Sequence, residues 1–413
     1  MTVTLTKADE ATGVLMRVLI SGASIAGPAL AFWLRRYGAE VTVVERAPSP
    51  RPGGQAVDVR GVAKEVVRRM GLDREVRAAC TDTGGLSLVN AAGRRLTSIT
   101  VDQFGGDGMI AEIEILRGDL SRVLLDATKE GVEYVYGDRI TALDEQPDGV
   151  HVSFQSGSPR VYDVVVGADG VHSGVRKLLF GDVPLQHCGM YLSFWTARNH
   201  LGLENWSLGY LEPGRASGVR TINDNQNFMA FVAFRADEID YDYRDADAQR
   251  DLVRARTAGM GWETAKFVEQ IDAPDFYFDS CSQVQIDKWS RGSVGLLGDA
   301  ASCASPSAGQ GTSLALVAAY VLAGELVRAN GDHAAAFAAY ERRLRSWVLA
   351  TQKMGRDNAN TTIPKNQLGV VAQRWALRAM RILPERLLMR TASSVVNGLT
   401  LPDEPALLPQ AAE

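Results

Sequence analysis

The chain of 413 residues holds only four cysteines and five histidines, and neither set is grouped. Cys80, Cys188, Cys281 and Cys303 stand far apart with no Cys-x-x-Cys among them, so they read as reduced thiols rather than a disulfide framework or a redox pair. The histidines do not fall with acids at metal-ligand spacing, and no metal is expected. Basic runs are missing and the net charge is −5, which argues against nucleic acid as a partner. No apolar run reaches the ~18 residues a bilayer span needs. The run after Thr312 stops at Glu325 and Arg328, so no membrane segment is predicted. Residues 1–15 carry Lys7, Asp9 and Glu10 without an apolar core; they read as a disordered extension, not a signal peptide, which points to the cytoplasm. A Gly-x-Ser-x-Gly elbow is absent too, removing the usual hydrolase reading. What remains is 46% apolar residues, enough to bury the cores of two or three lobes.

Three segments carry chemistry. The first is an apolar strand over 17–21 that runs into Gly22-Ala23-Ser24-Ile25-Ala26-Gly27, then a helix over 28–37 and a strand over 41–44 ending at Glu45 and Arg46. This is a dinucleotide-binding unit: the first glycine makes the tight turn, the helix start receives a pyrophosphate, and the acid about 20 residues on bonds ribose hydroxyls. Ser24 stands where the fingerprint has its second glycine. Serine is the smallest substitute, and its hydroxyl can itself bond a phosphate. The second segment is a continuous apolar strand over 162–166 ending in Gly167-Ala168-Asp169-Gly170, followed by a helix over 173–179 with Arg176. The third is a buried strand over 294–297 that stops at Asp299, then Pro306, Gly309, Gln310, Gly311 and Thr312 opening a long apolar helix to residue 327. A carboxylate at a strand end suits a ribose or ribityl hydroxyl. A glycine-rich helix start points unpaired N–H groups and positive dipole at whatever lies before it, a setting for a group that becomes anionic.

With the three in this order, the sequence resembles the class A flavoprotein monooxygenases, the para-hydroxybenzoate hydroxylase-like family, and within it the tetracycline-inactivating subgroup. The resemblance spans about residues 17–345. It implies an α/β fold with a Rossmann-like FAD-binding domain of glutathione-reductase type, an interleaved antiparallel-sheet substrate domain and a C-terminal helical segment. The implied boundaries are 16–83, 111–183 and 286–330 for the first, 84–110 and 184–285 for the second, and 331–413 for the last. It also implies roles for matching residues. Arg51, in Arg51-Pro52-Gly53-Gly54, matches an arginine implicated in nicotinamide-cofactor binding, and Asp58 an aspartate beside the flavin. Arg117 matches an arginine that reaches FAD from a helix start. Asp299 matches the ribityl-binding aspartate, and Gly309 to Thr312 the loop under the isoalloxazine ring. Two departures stand out. A histidine common after the Gly-Asp-Ala-Ala motif is Ser302 here, and the stretches around Phe194 and Met229 are apolar where tetracycline-acting enzymes have polar residues.

In the insertion over 184–285, strands are predicted at 189–197, 206–211, 217–222, 228–235 and 276–284, with a charged helix over 245–258. Short strands with turns are predicted over 84–110. Tyr191, Phe194, Trp195, Trp206, Tyr210, Phe228, Phe231 and Phe234 crowd this region. Most suit a core, and two or three are expected to line a pocket over the flavin. Further on, a helix runs from 334 toward 357, a break falls at 363–366, and an amphipathic helix over 370–383 carries Arg374, Arg378 and Arg381. It is expected to pack back on the lobes, with a membrane-surface or dimer contact the less favoured reading. The Pro-rich end after Leu401 is expected to fray.

The reaction implied by the resemblance is NAD(P)H-driven insertion of one oxygen atom from O2 into a hydrophobic, aromatic or polyketide-like small molecule through a flavin C4a-hydroperoxide. No general base is assigned. A flavin oxidase or reductase without oxygen transfer, and a flavin-binding protein that sequesters an intermediate, are the alternatives. A second nucleotide fingerprint and the halogenase Trp-x-Trp-x-Ile-Pro signature are both missing, against disulfide-reductase-like and halogenating enzymes. A monomer or weak homodimer is expected.

Overall fold

Val18, Leu19 and Ile20 are fully buried, so the strand they form, Arg17–Ser21, has no wet face. Runs of this kind belong inside parallel sheets covered by helices. In the computed structural model, which describes residues 16–51, 53–101, 111–222, 224–380, 395 and 397–405, that strand lies inside a six-stranded sheet. The order is Ser290–Arg291, Val294–Leu296, Val164–Gly167, Arg17–Ser21, Glu40–Glu45, Val132–Tyr136. All neighbours run parallel except the Ser290–Arg291 edge. Helices Ala26–Arg36 and Gly311–Arg328 pack against each other; the second is buried nearly throughout, which is why it is apolar all round.

The single strand expected over 162–166 is in fact two. The Asp163 carboxylate accepts the Arg17 N–H at 2.7 Å and pairs with the Arg17 guanidinium at 2.6 Å. That clasp turns the chain from Arg160–Tyr162, in a small antiparallel sheet with Ile140–Gln146 and Gly149–Phe154, into the parallel strand Val164–Gly167. The helix expected over 28–37 starts earlier, at Ala26, because the glycine turn feeds directly into it.

The second large sheet has seven strands, in the order Tyr277–Gln283, Gln186–Arg198, Asn227–Arg235, Arg215–Ile222, Trp206–Glu212, Gly85–Val89, Arg95–Thr100. It is antiparallel save for one pair: Trp206–Glu212 and Gly85–Val89 run parallel. These two strands belong to separate excursions of the chain, so no hairpin turn dictates their direction. Helices Ala246–Thr257, capped by Asp245, and Thr264–Val268 cover one face, where Tyr191, Trp195, Phe228 and Phe234 are buried. Phe194 and Met229 point to the other face.

An ion pair ties the seven-stranded sheet to a two-stranded ribbon made of Ala56–Asp58 and Glu114–Leu116. Glu114, on Glu114–Leu116, holds Arg220 and also accepts the Thr81 hydroxyl at 2.7 Å. Helix His333–Thr362, capped by Asp332, follows the long core helix, and Gln367–Met380 then packs Leu377 against Leu88 and Ile99 of the seven-stranded sheet. The expected disordered extension over 1–15, the part of the last predicted helix at 381–383 and the stretch after 405 lie outside the described residues.

Candidate active site

Three neighbouring parallel strands, Val294–Leu296, Val164–Gly167 and Arg17–Ser21, deliver their motifs at the same carboxyl-terminal edge, the place where open α/β sheets bind ligands. Gly22 has φ +112°, and a Cβ there would sit 2.4 Å from the Ala168 carbonyl oxygen. Gly27 is as constrained: its Cβ would lie 1.9 Å from the Gly22 oxygen. The first and last glycines of the fingerprint therefore let two turns and a helix start touch. Helix Ala26–Arg36 begins without a side-chain cap, which leaves its leading N–H groups for a ligand.

Ser24 Oγ accepts a hydrogen bond from Arg117 Nη1 at 3.0 Å, so its own O–H is left to donate. Arg117 opens the helix Arg117–Thr128 and has no carboxylate partner among the described residues. Burial, and next the neighbouring Arg51, pull its guanidinium below the usual arginine value. A half-buried cation in that state gains from an incoming anion. Glu45 accepts the N–H groups of Ala23 at 2.9 Å and Ala47 at 2.8 Å, which fixes its carboxylate over the turn. Arg46 and Arg51 are exposed at the rim. Tyr136, opposite Glu45 on the neighbouring strand, lines the same crevice with Ser49 and Ser121. Sequence reading missed it because the pairing of these strands exists only in three dimensions.

At the other end, Asp299 begins the one-turn helix Asp299–Ser302 and faces the cleft, while the protein packed behind it pushes its carboxyl above the usual range. Ser305 takes φ +76°, rare for a side chain, before the short 3-10 turn Pro306–Ala308, and Gly309 follows at φ +61°. Gln310 is buried with Oε1 unpaired in the protein, an acceptor waiting for a donor. Gly311, whose Cβ would stand 3.9 Å from Asp299 Oδ1, starts the core helix without a side-chain cap, with Thr312 buried next to it. Asp58 arrives from the distant strand Ala56–Asp58, 3.9 Å from where a Cβ on Gly309 would lie, and forms an ion pair with Arg60 at 2.8 Å.

Asp169 is placed differently from the rest. Its carboxylate accepts Ser173 Oγ–H and the Val175 N–H, at 3.1 Å, at the start of helix Gly174–Phe180. It shapes the turn against Gly22, and burial raises its pKa. Arg176 then links this turn to the third segment by donating to the Ala300 carbonyl at 3.1 Å.

Facing the motifs is a cavity of about 260 Å³ between Gly53, Gly54 and Leu116 on one side and Thr196, Ile222 and Met229 on the other. None of the eight singled-out aromatics lines it. Strand alternation sends most of them to the helix-covered face, and Phe194 stands behind the wall, packed on Leu116, Ile222 and Met229. The lining is mixed: Leu116, Ile222 and Met229 are apolar, while Thr196, Asp119 and Asp275 are polar. Tyr277, beside Phe194, donates to Asp279 at 3.3 Å, and burial, then Asp279, holds its phenol well above the ordinary value.

Comparisons with known proteins agree with this geometry. A family model described as FAD binding domain matches residues 16–351. A flavin-dependent monooxygenase of Legionella longbeachae is 35% identical over 392 residues, 94% of this chain and 98% of the relative. An uncharacterized protein of Mycobacterium tuberculosis is 42% identical over 345 residues, 83% of this chain and 93% of that one. The crystal structure of the tetracycline destructase Tet(51) superposes with a TM-score of 0.83 at 34% identity, covering 94% of this chain and 100% of that chain. A cradle that only glycine fits, a half-buried arginine with no carboxylate partner and a Gln310 oxygen with no hydrogen-bond partner among the described residues all suit a large, anionic, hydrogen-bonding cofactor. The chain belongs to the FAD binding domain family, and it is a FAD-dependent monooxygenase.

Proposed function

We propose that the enzyme consumes NAD(P)H and O2 and inserts one oxygen atom into a hydrophobic, aromatic or polyketide-like small molecule. The observation that carries this reading is the adjacency of two sites: three nucleotide-type strand ends, and, beside Arg117, a cavity with Leu116, Ile222 and Met229 in its lining. Gly22, Ser24, Ala26 and Gly27 with Arg117 would take the pyrophosphate, Glu45 the adenosine ribose and Asp299 the ribityl chain. Pro306 and the loop Gly309 to Thr312 would carry the ring system, with Asp58 alongside. Arg51, exposed beside Arg117 and near the cavity loop, is positioned to meet the phosphates of a reductant.

FAD, when bound, supplies hydride acceptance and activation of O2. The chain contributes position, charge and dryness. The uncapped start of helix Gly311–Arg328 offers N–H groups and positive dipole that favour a ring becoming anionic on reduction. Leu116, Ile222 and Met229 keep water from the space where substrate and ring meet. Tet(51) is named for tetracycline; Ile222 and Met229 in the lining here favour a substrate with an apolar body.

The test is an isotope experiment. FAD-loaded protein is reduced anaerobically with NADPH or NADH, mixed with a panel of phenols and aromatic polyketides, and exposed to labelled O2. Label in an organic product is expected. Label confined to water or peroxide across the panel overturns the proposal.

A further inference from the structure

Beside the apolar Leu116, Ile222 and Met229, one carboxylate in the cavity lining has no cation partner among the described residues. Asp275 lines the space, half buried, with its Oδ2 3.6 Å from where a Cβ on Gly53 would be. Thr196 holds it, donating its backbone N–H to Oδ1 at 3.1 Å and its hydroxyl to Oδ2 at 2.6 Å. Each carboxylate oxygen keeps a further lone pair beyond the one Thr196 uses. No arginine, lysine or histidine pairs with Asp275 among the described residues. The other acid at the cavity, Asp119, differs, since Arg122 neutralises it at 2.7 Å. Arg117, half buried, sits behind Gly54 and is turned to Ser24.

A fixed, uncompensated charge bordered by Ile222 and Met229 loses hydration and regains it best from a ligand of opposite sign that also has an apolar body. We propose that Asp275 selects a substrate carrying a protonated amine next to an apolar or aromatic frame, with Thr196 as the residue that aims the carboxylate. This rests on the reading of the cavity as the substrate site and narrows it to cationic amphiphiles. It also states what the site rejects: a carboxylated aromatic would place like charges together at this wall.

The experiment measures binding, not turnover, on the FAD-loaded protein. Phenethylamine, phenethyl alcohol and phenylacetate share a frame and differ in charge, and their affinities are read by calorimetry at neutral pH. The ammonium is expected to bind at least about tenfold tighter than the alcohol, the scale of one charge-assisted hydrogen bond, and phenylacetate weakest. Asp275→Asn, which keeps an acceptor for Thr196, should bring amine and alcohol together without weakening the alcohol. Asp119→Asn should leave the preference intact. Equal affinity of amine and alcohol for the wild-type protein overturns the assignment whatever the variants do. So does a preference that survives Asp275→Asn or vanishes in Asp119→Asn. Amine selection without label transfer in the isotope experiment would sink the oxygenase reading and leave this one standing; oxygen transfer with no amine selection does the reverse.

Discussion

The two walls of the cleft are made of different material. On the six-stranded side the contacts on offer come from backbone: turns at Gly22 and Gly309, uncapped helix starts at Ala26 and Gly311, and a few fixed charges at Glu45, Arg117 and Asp299. On the seven-stranded side they come from side chains: Ile222, Met229 and Thr196, set by strand alternation, and Asp275 from the turn before Tyr277–Gln283, each replaceable without altering the sheet. A constant cofactor can be read by backbone, whose geometry does not vary with sequence. A substrate that differs between relatives has to be read by side chains. If that division is right, the walls should fail differently when mutated.

The largest effect is expected at the join. Glu114 is 5% exposed and faces Arg220 between the two-stranded ribbon and the seven-stranded sheet, with Arg220 Nε also donating to Ser207 Oγ at 3.1 Å. Arg220→Met leaves a buried carboxylate unpaired. The cost should be about 3 kcal/mol, the low end for a broken buried pair because Arg220 keeps some contact with water. Chemical denaturation should show it directly. A loss within the scatter of surface mutations would mean the ribbon is held to the seven-stranded sheet by apolar packing alone.

Next comes Asp299. Asp299→Ala leaves a sugar hydroxyl without its acceptor, and FAD affinity should fall by roughly 1–3 kcal/mol, about 5- to 150-fold. Flavin retained in full after dialysis would refute the role. The protein without FAD should behave in the opposite sense. The protein packed behind the exposed Asp299 carboxylate raises its folded-state pKa above the ordinary value of 3.8, so the folded form holds its proton longer than the unfolded chain does. Stability contributed by that proton is complete below 3.8 and is lost as pH rises through the folded pKa. Asp299→Asn removes that loss. Melting curves of the two apoproteins should therefore coincide in acid and separate above it, with the variant the more stable. Parallel curves would mean that the carboxylate is well solvated.

The sequence exposes one wall far better than the other, and for the same reason. Gly22, Gly27 and Asp299 lie in contiguous motifs because a turn and the helix it starts are local in the chain. The apolar runs at 18–20 and 164–166 gave their strands for the same local reason, and only the clasp of Asp163 on Arg17, some 146 residues apart, was hidden. The cavity wall collects Leu116, Thr196, Ile222, Met229 and Asp275 from five separate segments, and no spacing connects them. Alternation along Gln186–Arg198 could have separated Trp195 from Phe194, but it does not tell which face is the wet one. The parallel pairing of Trp206–Glu212 with Gly85–Val89 was equally out of reach, being fixed by long-range packing rather than by a turn.

The smallest expected effect is the sharpest test of the backbone wall. Ser24 is the one side chain intruding on a fingerprint that elsewhere relies on glycine, and its hydroxyl both anchors Arg117 and is free to donate. If backbone N–H groups carry the pyrophosphate, Ser24→Ala should weaken FAD by only about 0.5–1.5 kcal/mol, roughly 2- to 10-fold, since the phosphate itself can replace the lost acceptor for Arg117. Ser24→Gly, which completes the fingerprint, should bind FAD as well as Ser24→Ala or better, because it widens the approach to the turn. Fluorescence titration of the apoproteins separates these cases. A hundredfold loss in both variants would mean the hydroxyl is the main phosphate ligand, and the contrast between a backbone-built and a side-chain-built wall would no longer hold.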